Sequence, residues 1–152
     1  MLEIIDPKDS PFSMEKLEAE TYAASPHGIA VCSIAPITPG HTLIISKRIV
    51  TSMTELADDE LCDIAIFSRH VTTVLMNVFG VNKFGWTIQD GEAAGQTVHH
   101  FHLHIILDKP FSTPVWYPKQ DKSDEEVVDS KSRSRLSPQD MSTIVTNLRN
   151  YF

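Results

Sequence analysis

A cluster of histidines lies in the segment GQTVHHFHLHII, residues 95–106, where four histidines fall within six residues. Three of them, His100, His102 and His104, alternate with bulky apolar residues. In a β-strand successive side chains point to opposite faces, so these three imidazoles share one face. The other face, which packs into the core, consists of Phe101, Leu103 and Ile105. Because polar strand faces more usually carry Thr, Ser or Lys, the pattern indicates chemistry and not a solvated surface.

A row of neutral imidazoles suits phosphoryl or nucleotidyl transfer. With a pKa of ~6.5, imidazole is a usable nucleophile at neutral pH, provided a partner on its second nitrogen keeps the lone pair on the attacking one. The middle residue, His102, has a histidine on each side. Upstream, GEAAGQTV supplies a glycine-containing bend whose N–H groups can cradle an anion, and Gln96 and Thr97 add side-chain donors.

Metal binding is an alternative reading of the same histidines. Residues two apart on a strand are ~6.6 Å apart, so a His-x-His pair can share one ion. All three are harder to combine, because the outer pair is ~13 Å apart. His41 is a candidate third ligand. The predicted chemistry needs no tightly bound metal, although a divalent ion such as Mg²⁺ can accompany a polyphosphate substrate.

Bulk properties exclude several classes of protein. The chain has 152 residues, which predicts one domain over residues 1–152. Its formal net charge of −7 argues against broad binding to nucleic-acid backbone. No apolar run reaches the roughly 20 residues of a membrane helix, and the N-terminus does not resemble a signal peptide. Two cysteines, Cys32 and Cys62, suit a reducing interior, so a cytoplasmic protein small enough to enter the nucleus is expected.

The elements that must position the histidines are predicted as an α+β domain. Three acidic residues open a long helix that Gly80 ends, with an apolar stripe consisting of Leu61, Ile64, Ala65, Val71, Val74, Leu75 and Val78. Strands are predicted at 28–34, 41–46, 84–90 and 97–107, with a type II turn at Pro39-Gly40. Residues 118–137 are predicted to be a mobile loop before a C-terminal helix capped by Ser137. The layout favours an antiparallel sheet with helices on one face.

The stretch HHFHLHII resembles the histidine triad signature, and FGWTIQDGEAAGQTVHHFHLHII resembles the fragile histidine triad branch of dinucleoside polyphosphate hydrolases. PITPGHTLIISK and the ending LRNYF are also similar to that family, so the resemblance extends from about residue 20 onward. It implies the histidine triad fold, with a five-stranded antiparallel sheet, a long central helix and a C-terminal helix. It also implies a homodimer that hydrolyses a dinucleoside polyphosphate such as diadenosine triphosphate.

The resemblance further implies roles for individual residues. His102 would attack the α-phosphate to form a nucleotidyl-histidine, and His104 would contact the departing oxygen, with His100 and His41 orienting them. Phosphate would be bound by a second set of residues: Gln89, Gly95, Gln96, Thr97 and Val98. The glutamine at position 89 resembles the dinucleoside hydrolases, because the phosphoramidase branch usually has asparagine there.

One position departs from the family pattern. Eight residues before His41 the family usually has Asp or Asn, which binds the ribose hydroxyls, but here the residue is Ser33. Serine offers a single hydroxyl, and a lost buried hydrogen bond typically costs ~1–3 kcal/mol, so weaker ribose recognition is expected.

Two other functions remain open. One is another enzyme of the same superfamily that splits adenosine phosphoramidates or nucleotidyl sulfates. The other is a nucleotide-binding signalling module in which hydrolysis is incidental.

Other conspicuous residues are interpreted as structural. His99 has the opposite parity to the triad and is expected at the surface or a sheet edge, while His27 belongs in a turn and His70 on the long helix. Phe84 and Trp86 are expected in the core of a central strand. Cys32 is expected in the core as a small apolar residue. For Trp116 and Tyr117, in a loop, covering a base and simple packing are equally supported.

Overall fold

The computed structural model describes residues 14–119 and 133–152. Its helices are α1 (Met14–Glu20), α2 (Asp58–Phe79) and α3 (Pro138–Arg149). The strands are β1 (Thr21–Ala24), β2 (Gly28–Cys32), β3 (Thr42–Ser46), β4 (Phe84–Thr87) and β5 (His102–Leu107). Short 3₁₀ turns lie at Met53–Glu55 and Glu92–Ala94. Most of the predicted mobile loop, residues 120–132, lies outside the described residues.

The five strands form one antiparallel sheet in the order β1-β2-β3-β5-β4. This confirms the predicted α+β fold with a long central helix and a C-terminal helix. Strand β1 and helix α1 carry no clear signal in the sequence, since β1 has only four residues. Among the described helices, none is long and apolar enough to cross a bilayer.

Both faces of the sheet are covered near its centre. The larger core lies between the sheet and helices α2 and α3, and it includes Ile44, Leu103 and Ile105. On the opposite face Leu17 of α1 packs with Ile29, Val31 and Ile45. The prediction of helices on one face is therefore wrong for α1. Burial on both faces explains why β2 is apolar at every position and does not alternate.

The turn between β2 and β3 brings His41 to the start of β3. The His41 N–H donates to the Thr38 carbonyl at 3.0 Å, which closes a four-residue turn around Pro39 and Gly40. Gly40 has φ +86°, as the third position of a type II turn requires. A Cβ there would lie 2.8 Å from the Phe79 ring, so the position needs glycine for space as well as for conformation.

Helix α2 spans the predicted range and ends at Gly80 in the left-handed conformation (φ 66°). Its start is closed by the Glu60 carboxylate, which accepts from the Ala57 N–H at 3.1 Å. The predicted apolar stripe is wrong at Leu61 and Ala65, which are exposed. The buried residues of the helix are Glu60, Ile64, Phe67, Ser68, Val71, Thr72, Leu75 and Phe79. Thr72 fits because its hydroxyl donates to the Ser68 carbonyl at 2.7 Å, whereas the buried Ser68 hydroxyl has no hydrogen-bond partner among the described residues.

Helix α3 follows its prediction closely. The Ser137 hydroxyl accepts from the Asp140 N–H at 3.1 Å, and Pro138 occupies the first turn. Its buried residues are Met141, Ile144, Val145 and Leu148. Both the predicted N-cap and the predicted buried positions are found, because an amphipathic helix is specified by residues three and four positions apart.

Strand β4 corrects the expectation for Phe84 and Trp86. It is an edge strand, paired only with β5 in the described sheet, and the two side chains are 49% and 39% exposed. The Trp86 indole N–H donates to the Thr72 hydroxyl at 3.0 Å. The sequence cannot distinguish an edge strand from a central one, because the order of strands in the sheet is set by pairing between distant segments.

Candidate active site

Pairing between β3 and β5 gathers three of the four predicted histidines. Ile45 lies opposite His102, and Leu43 lies opposite His104. His41 lies two positions before Leu43, so it reaches the same face of the sheet. The ring centroids are 5.1 Å apart for His102 and His104, and 5.2 Å apart for His41 and His104.

His100 lies before the strand and not on it, which differs from the prediction. The strand begins at His102 and not at residue 97, because residues 98–100 form a bend. The His100 ring is fully buried, and its Nε2 lies 2.7 Å from the Ser46 carbonyl oxygen, which can only accept. The apolar half of the alternation is confirmed, since Phe101, Leu103 and Ile105 are buried in the larger core.

His102 is oriented by the backbone of His100. Its Nδ1 lies 2.7 Å from the His100 carbonyl oxygen. A carbonyl accepts and never donates, so Nδ1 carries the proton and Nε2 carries the lone pair. This is the tautomer that an attacking imidazole needs.

His104 is oriented by a chain of donors that begins in the backbone. The Ile37 N–H donates to His41 Nδ1 at 3.1 Å, so a neutral His41 carries its proton on Nε2. His41 Nε2 lies 3.0 Å from His104 Nδ1 and donates to it. His104 therefore carries its own proton on Nε2. That nitrogen is buried and has no hydrogen-bond partner among the described residues.

Burial keeps these imidazoles neutral. It lowers the pKa of His102 and of His100 below the usual range, against the opposing effect of their backbone hydrogen bonds. Burial, and next the neighbouring imidazole, lower the pKa of His41 to about 3 and that of His104 to about 4. The site at neutral pH thus presents a lone pair on His102 and an N–H on His104.

The loop between β4 and β5 holds the predicted phosphate-binding residues. Gln96 is buried, and both ends of its amide are used within the protein: Oε1 accepts from the Gly91 N–H at 2.8 Å, and Nε2 donates to the Thr51 carbonyl at 3.0 Å. These hydrogen bonds hold the loop in its conformation, so Gln96 has a structural role. A phosphate contact by this residue stays a prediction.

Gln89 and Gly95 form a closely packed pair. Gly95 has φ +92°, and a Cβ at this position would lie 2.8 Å from Gln89 Nε2. The glycine thus makes room for the glutamine amide. Within the described chain, the backbone N–H groups of Thr97 and Val98 have no carbonyl acceptor, whereas those of Gly95 and Gln96 bond within the loop. Thr97 and Val98 remain the backbone donors predicted for phosphate.

Ser33 lies at the end of β2, beside the histidines. Its N–H donates to the His41 carbonyl at 3.0 Å, and its side chain is buried. The position is therefore close enough to the cluster for the predicted ribose contact, which stays a prediction.

Two residues in the loop after β5 pack against helix α2. Tyr117 is buried, with its ring edge-on to Phe79 at a centroid distance of 5.4 Å. Trp116 is half-buried and its ring lies 6.2 Å from the same phenylalanine. Cys32 is buried as expected, and His99 is exposed.

One charged residue near the histidines was not found by sequence reasoning. Arg133 donates from Nε to the Ala35 carbonyl at 2.9 Å, on the loop that carries His41. It belongs to a polar segment without periodicity, so no spacing in the sequence connects it to the site. Among the described residues, no group of three or more His, Cys, Asp or Glu side chains is arranged to hold a metal ion.

The fold and the histidine cluster define a protein of the histidine triad class, and comparison with known proteins agrees. Residues 16–110 match the model of the HIT domain, so the chain belongs to the HIT domain family. It is 30% identical over 135 residues to a bis(5'-adenosyl)-triphosphatase of Dictyostelium discoideum, covering 89% of this chain and 87% of the relative.

Two further matches extend the comparison. An Arabidopsis thaliana protein named bifunctional bis(5'-adenosyl)-triphosphatase/adenylylsulfatase FHIT is 34% identical over 90 residues, which cover 59% of this chain and 50% of the relative. The crystal structure of the C. elegans NitFhit protein superposes with a TM-score of 0.70 at 26% identity, over 88% of this chain and 27% of that one. The chain thus spans about half and about a quarter of these two proteins.

Proposed function

We propose that this protein hydrolyses dinucleoside polyphosphates such as diadenosine triphosphate. The observation that carries the proposal is the opposite protonation of two adjacent imidazoles, a lone pair at His102 Nε2 and a proton at His104 Nε2. The names of the Dictyostelium and Arabidopsis relatives support the same substrate class.

In the first step, His102 Nε2 attacks the α-phosphorus and forms a P–N bond. The P–O bond to the departing nucleotide breaks, and the electron pair of that bond stays on the departing oxygen. His104 Nε2–H donates a hydrogen bond to this oxygen as negative charge develops. The product on the protein is a nucleotidyl-imidazolium at His102, with its Nδ1 proton still held by the His100 carbonyl.

In the second step, water attacks the same phosphorus. A P–O bond forms, the P–N bond breaks, and His102 returns to its neutral state. The nucleoside monophosphate keeps one proton of the water, and the other proton passes to solvent. In this scheme Gln89, Thr97 and Val98 bind the phosphate oxygens.

The neutral state of His104 favours one kind of leaving group. A neutral imidazole donates a hydrogen bond well but is a poor acid. Nucleotides and sulfate depart as stable anions and need no proton, whereas the amine of a phosphoramidate does. This supports dinucleoside polyphosphates over phosphoramidates, and the name of the Arabidopsis relative makes nucleotidyl sulfates the second candidate.

The test of the proposed function uses His102→Asn with diadenosine triphosphate and with adenylyl sulfate as substrates. We expect the wild-type protein to release AMP from the dinucleotide and to become labelled by radioactive dinucleotide in an acid-labile bond. His102→Asn is expected to lose about 10⁴-fold or more in kcat and all labelling, because the nucleophile is gone. Near-normal turnover by this variant would refute the assigned nucleophile.

The same experiment separates hydrolysis from signalling. A signalling module would bind diadenosine triphosphate tightly while its wild-type turnover stayed far below about 1 s⁻¹, the low end for enzymes. The proposal requires turnover in the ordinary enzymatic range.

We also propose that two copies of the chain pair along β4. This edge exposes Phe84 and Trp86, and the neighbouring helix α2 exposes Ile66; the three side chains border a groove of about 340 Å³ between β4 and α2. An exposed apolar sheet edge is usually covered by a partner. Sedimentation should give twice the chain mass for the wild type and for Val115→Lys, an exposed site elsewhere, but a smaller species for Ile66→Lys. A wild-type monomer contradicts the pairing.

A further inference from the structure

Arg133 is attached to the loop that presents His41. The segment before α3 crosses this loop, where Arg133 Nε donates to the Ala35 carbonyl at 2.9 Å and the Leu136 N–H donates to the Ile34 carbonyl at 2.8 Å. Two residues beyond Ala35, the Ile37 N–H donates to His41 Nδ1. The guanidinium and the His41 ring are therefore held by one short stretch of backbone.

The charge of Arg133 acts on two members of the histidine cluster. It contributes to lowering the pKa of both His41 and His104, after burial and the neighbouring imidazole. The hydrogen bond to the Ala35 carbonyl ties Arg133 to the loop that carries His41, and the His41 ring bonds to His104. In the proposed reaction the departing oxygen lies at this His41–His104 pair.

We propose that Arg133 determines specificity by binding the phosphate chain of the leaving nucleotide, an inference that rests on the proposed function. A dinucleoside triphosphate loses a nucleoside diphosphate, whose phosphates lie beyond the departing oxygen. A planar guanidinium stays charged at every relevant pH and matches the geometry of phosphate oxygens. In a chain of net charge −7, a cation at this point offsets repulsion of a polyanion.

The proposal predicts a loss that depends on the leaving group. The p-nitrophenyl ester of AMP passes through the same nucleotidyl-His102, but its leaving group carries no phosphate. Arg133→Gln should lower kcat/KM for diadenosine triphosphate by about 10- to 100-fold, as the loss of a charge-assisted hydrogen bond does, and change the ester by less than about 3-fold. Arg133→Lys, which keeps the charge, should recover part of the loss.

The matched control is Arg135→Gln, an exposed arginine two residues further along. We expect it to behave as the wild type with both substrates. Equal losses on the two substrates would mean that Arg133 only supports the His41 loop, and would overturn the proposal. So would a loss in Arg135→Gln that matches Arg133→Gln, because general charge would then explain both.

Failure of the proposed function would be recognised separately. If the wild type turned over the ester but not the dinucleotide, the proposed substrate would be wrong. Calorimetric titration with inorganic pyrophosphate would then test Arg133 alone. Weaker binding of pyrophosphate by Arg133→Gln than by Arg135→Gln supports the anion site, and equal binding overturns it.

Discussion

His102 and His104 lie on one strand, two residues apart, yet they present opposite groups to the site. His102 faces a backbone acceptor, the His100 carbonyl, so its outer nitrogen has the lone pair. His104 receives a hydrogen bond that originates at a backbone donor, the Ile37 N–H, and passes through His41, so its outer nitrogen carries the proton. The same side chain thus presents a lone pair or an N–H, according to whether a backbone acceptor or a backbone donor fixes its inner nitrogen.

The His102 and His104 rings also differ in how far along the chain their hydrogen-bond partners lie. His102 depends on a carbonyl within its own segment, so its tautomer is fixed as soon as the bend before β5 forms. His104 depends on a residue 63 positions away. Its tautomer is fixed only when β3 and β5 pair, so its function is the more sensitive to changes elsewhere.

Apart from the loss of His102 itself, the largest effect is expected at His104. His104→Ala removes the N–H at the departing oxygen and should lower kcat for diadenosine triphosphate by about 10²–10³-fold. His104→Gln keeps a side-chain N–H donor and should recover part of this. The measurement is the steady-state kcat of both variants, and the control is His99→Ala, a substitution at an exposed histidine. A His104→Ala enzyme within tenfold of the wild type would contradict the assigned donor.

A smaller effect is expected at His41, because it acts through His104. His41→Ala frees His104 to move its proton to Nδ1, and kcat should fall by about 10- to 100-fold, as for other partners that orient a histidine. His41→Gln can accept from Ile37 N–H and donate to His104, so it should lose less. If both variants keep the folded circular dichroism spectrum and lose kcat equally, the proton chain is not what His41 provides.

The smallest effect concerns stability against pH. Burial lowers the pKa of His41 and His104 below the unfolded value of ~6.5. Below pH 6.5 these two histidines therefore bind protons in the unfolded chain but stay neutral in the folded chain. The free energy of unfolding should therefore fall as pH drops from 6.5 toward 4, by at most about 1.4 kcal/mol per pH unit for each histidine.

Urea unfolding of the wild type and His41→Gln across this range provides the check. The variant has one buried imidazole fewer, so its stability should depend less steeply on pH. Identical slopes for the two proteins would show that His41 is not held neutral by the fold.

Much of the fold follows from short-range patterns. Ser137, Pro138 and the apolar spacing after them specify α3, and the alternation around the histidines places Leu103 and Ile105 in the core. The prediction of burial is wrong for Leu61 and Ala65 of α2 and for Phe84 and Trp86 of β4, which are exposed. An apolar residue at the correct spacing is buried only where another element covers it, and that depends on packing between distant segments.

By itself, then, the sequence determined that His102 and His104 share a face, and that Gly40 turns the chain just before His41. The tertiary structure decided which nitrogen of each ring carries a proton, that the Gln96 amide bonds to backbone groups of Gly91 and Thr51, and that Arg133 bonds to the loop that carries His41. The physical reason is the distance along the chain over which each interaction acts. Side-chain alternation and turn geometry act over two to four residues, whereas a tautomer is set by whichever donor or acceptor the strand register brings to the ring.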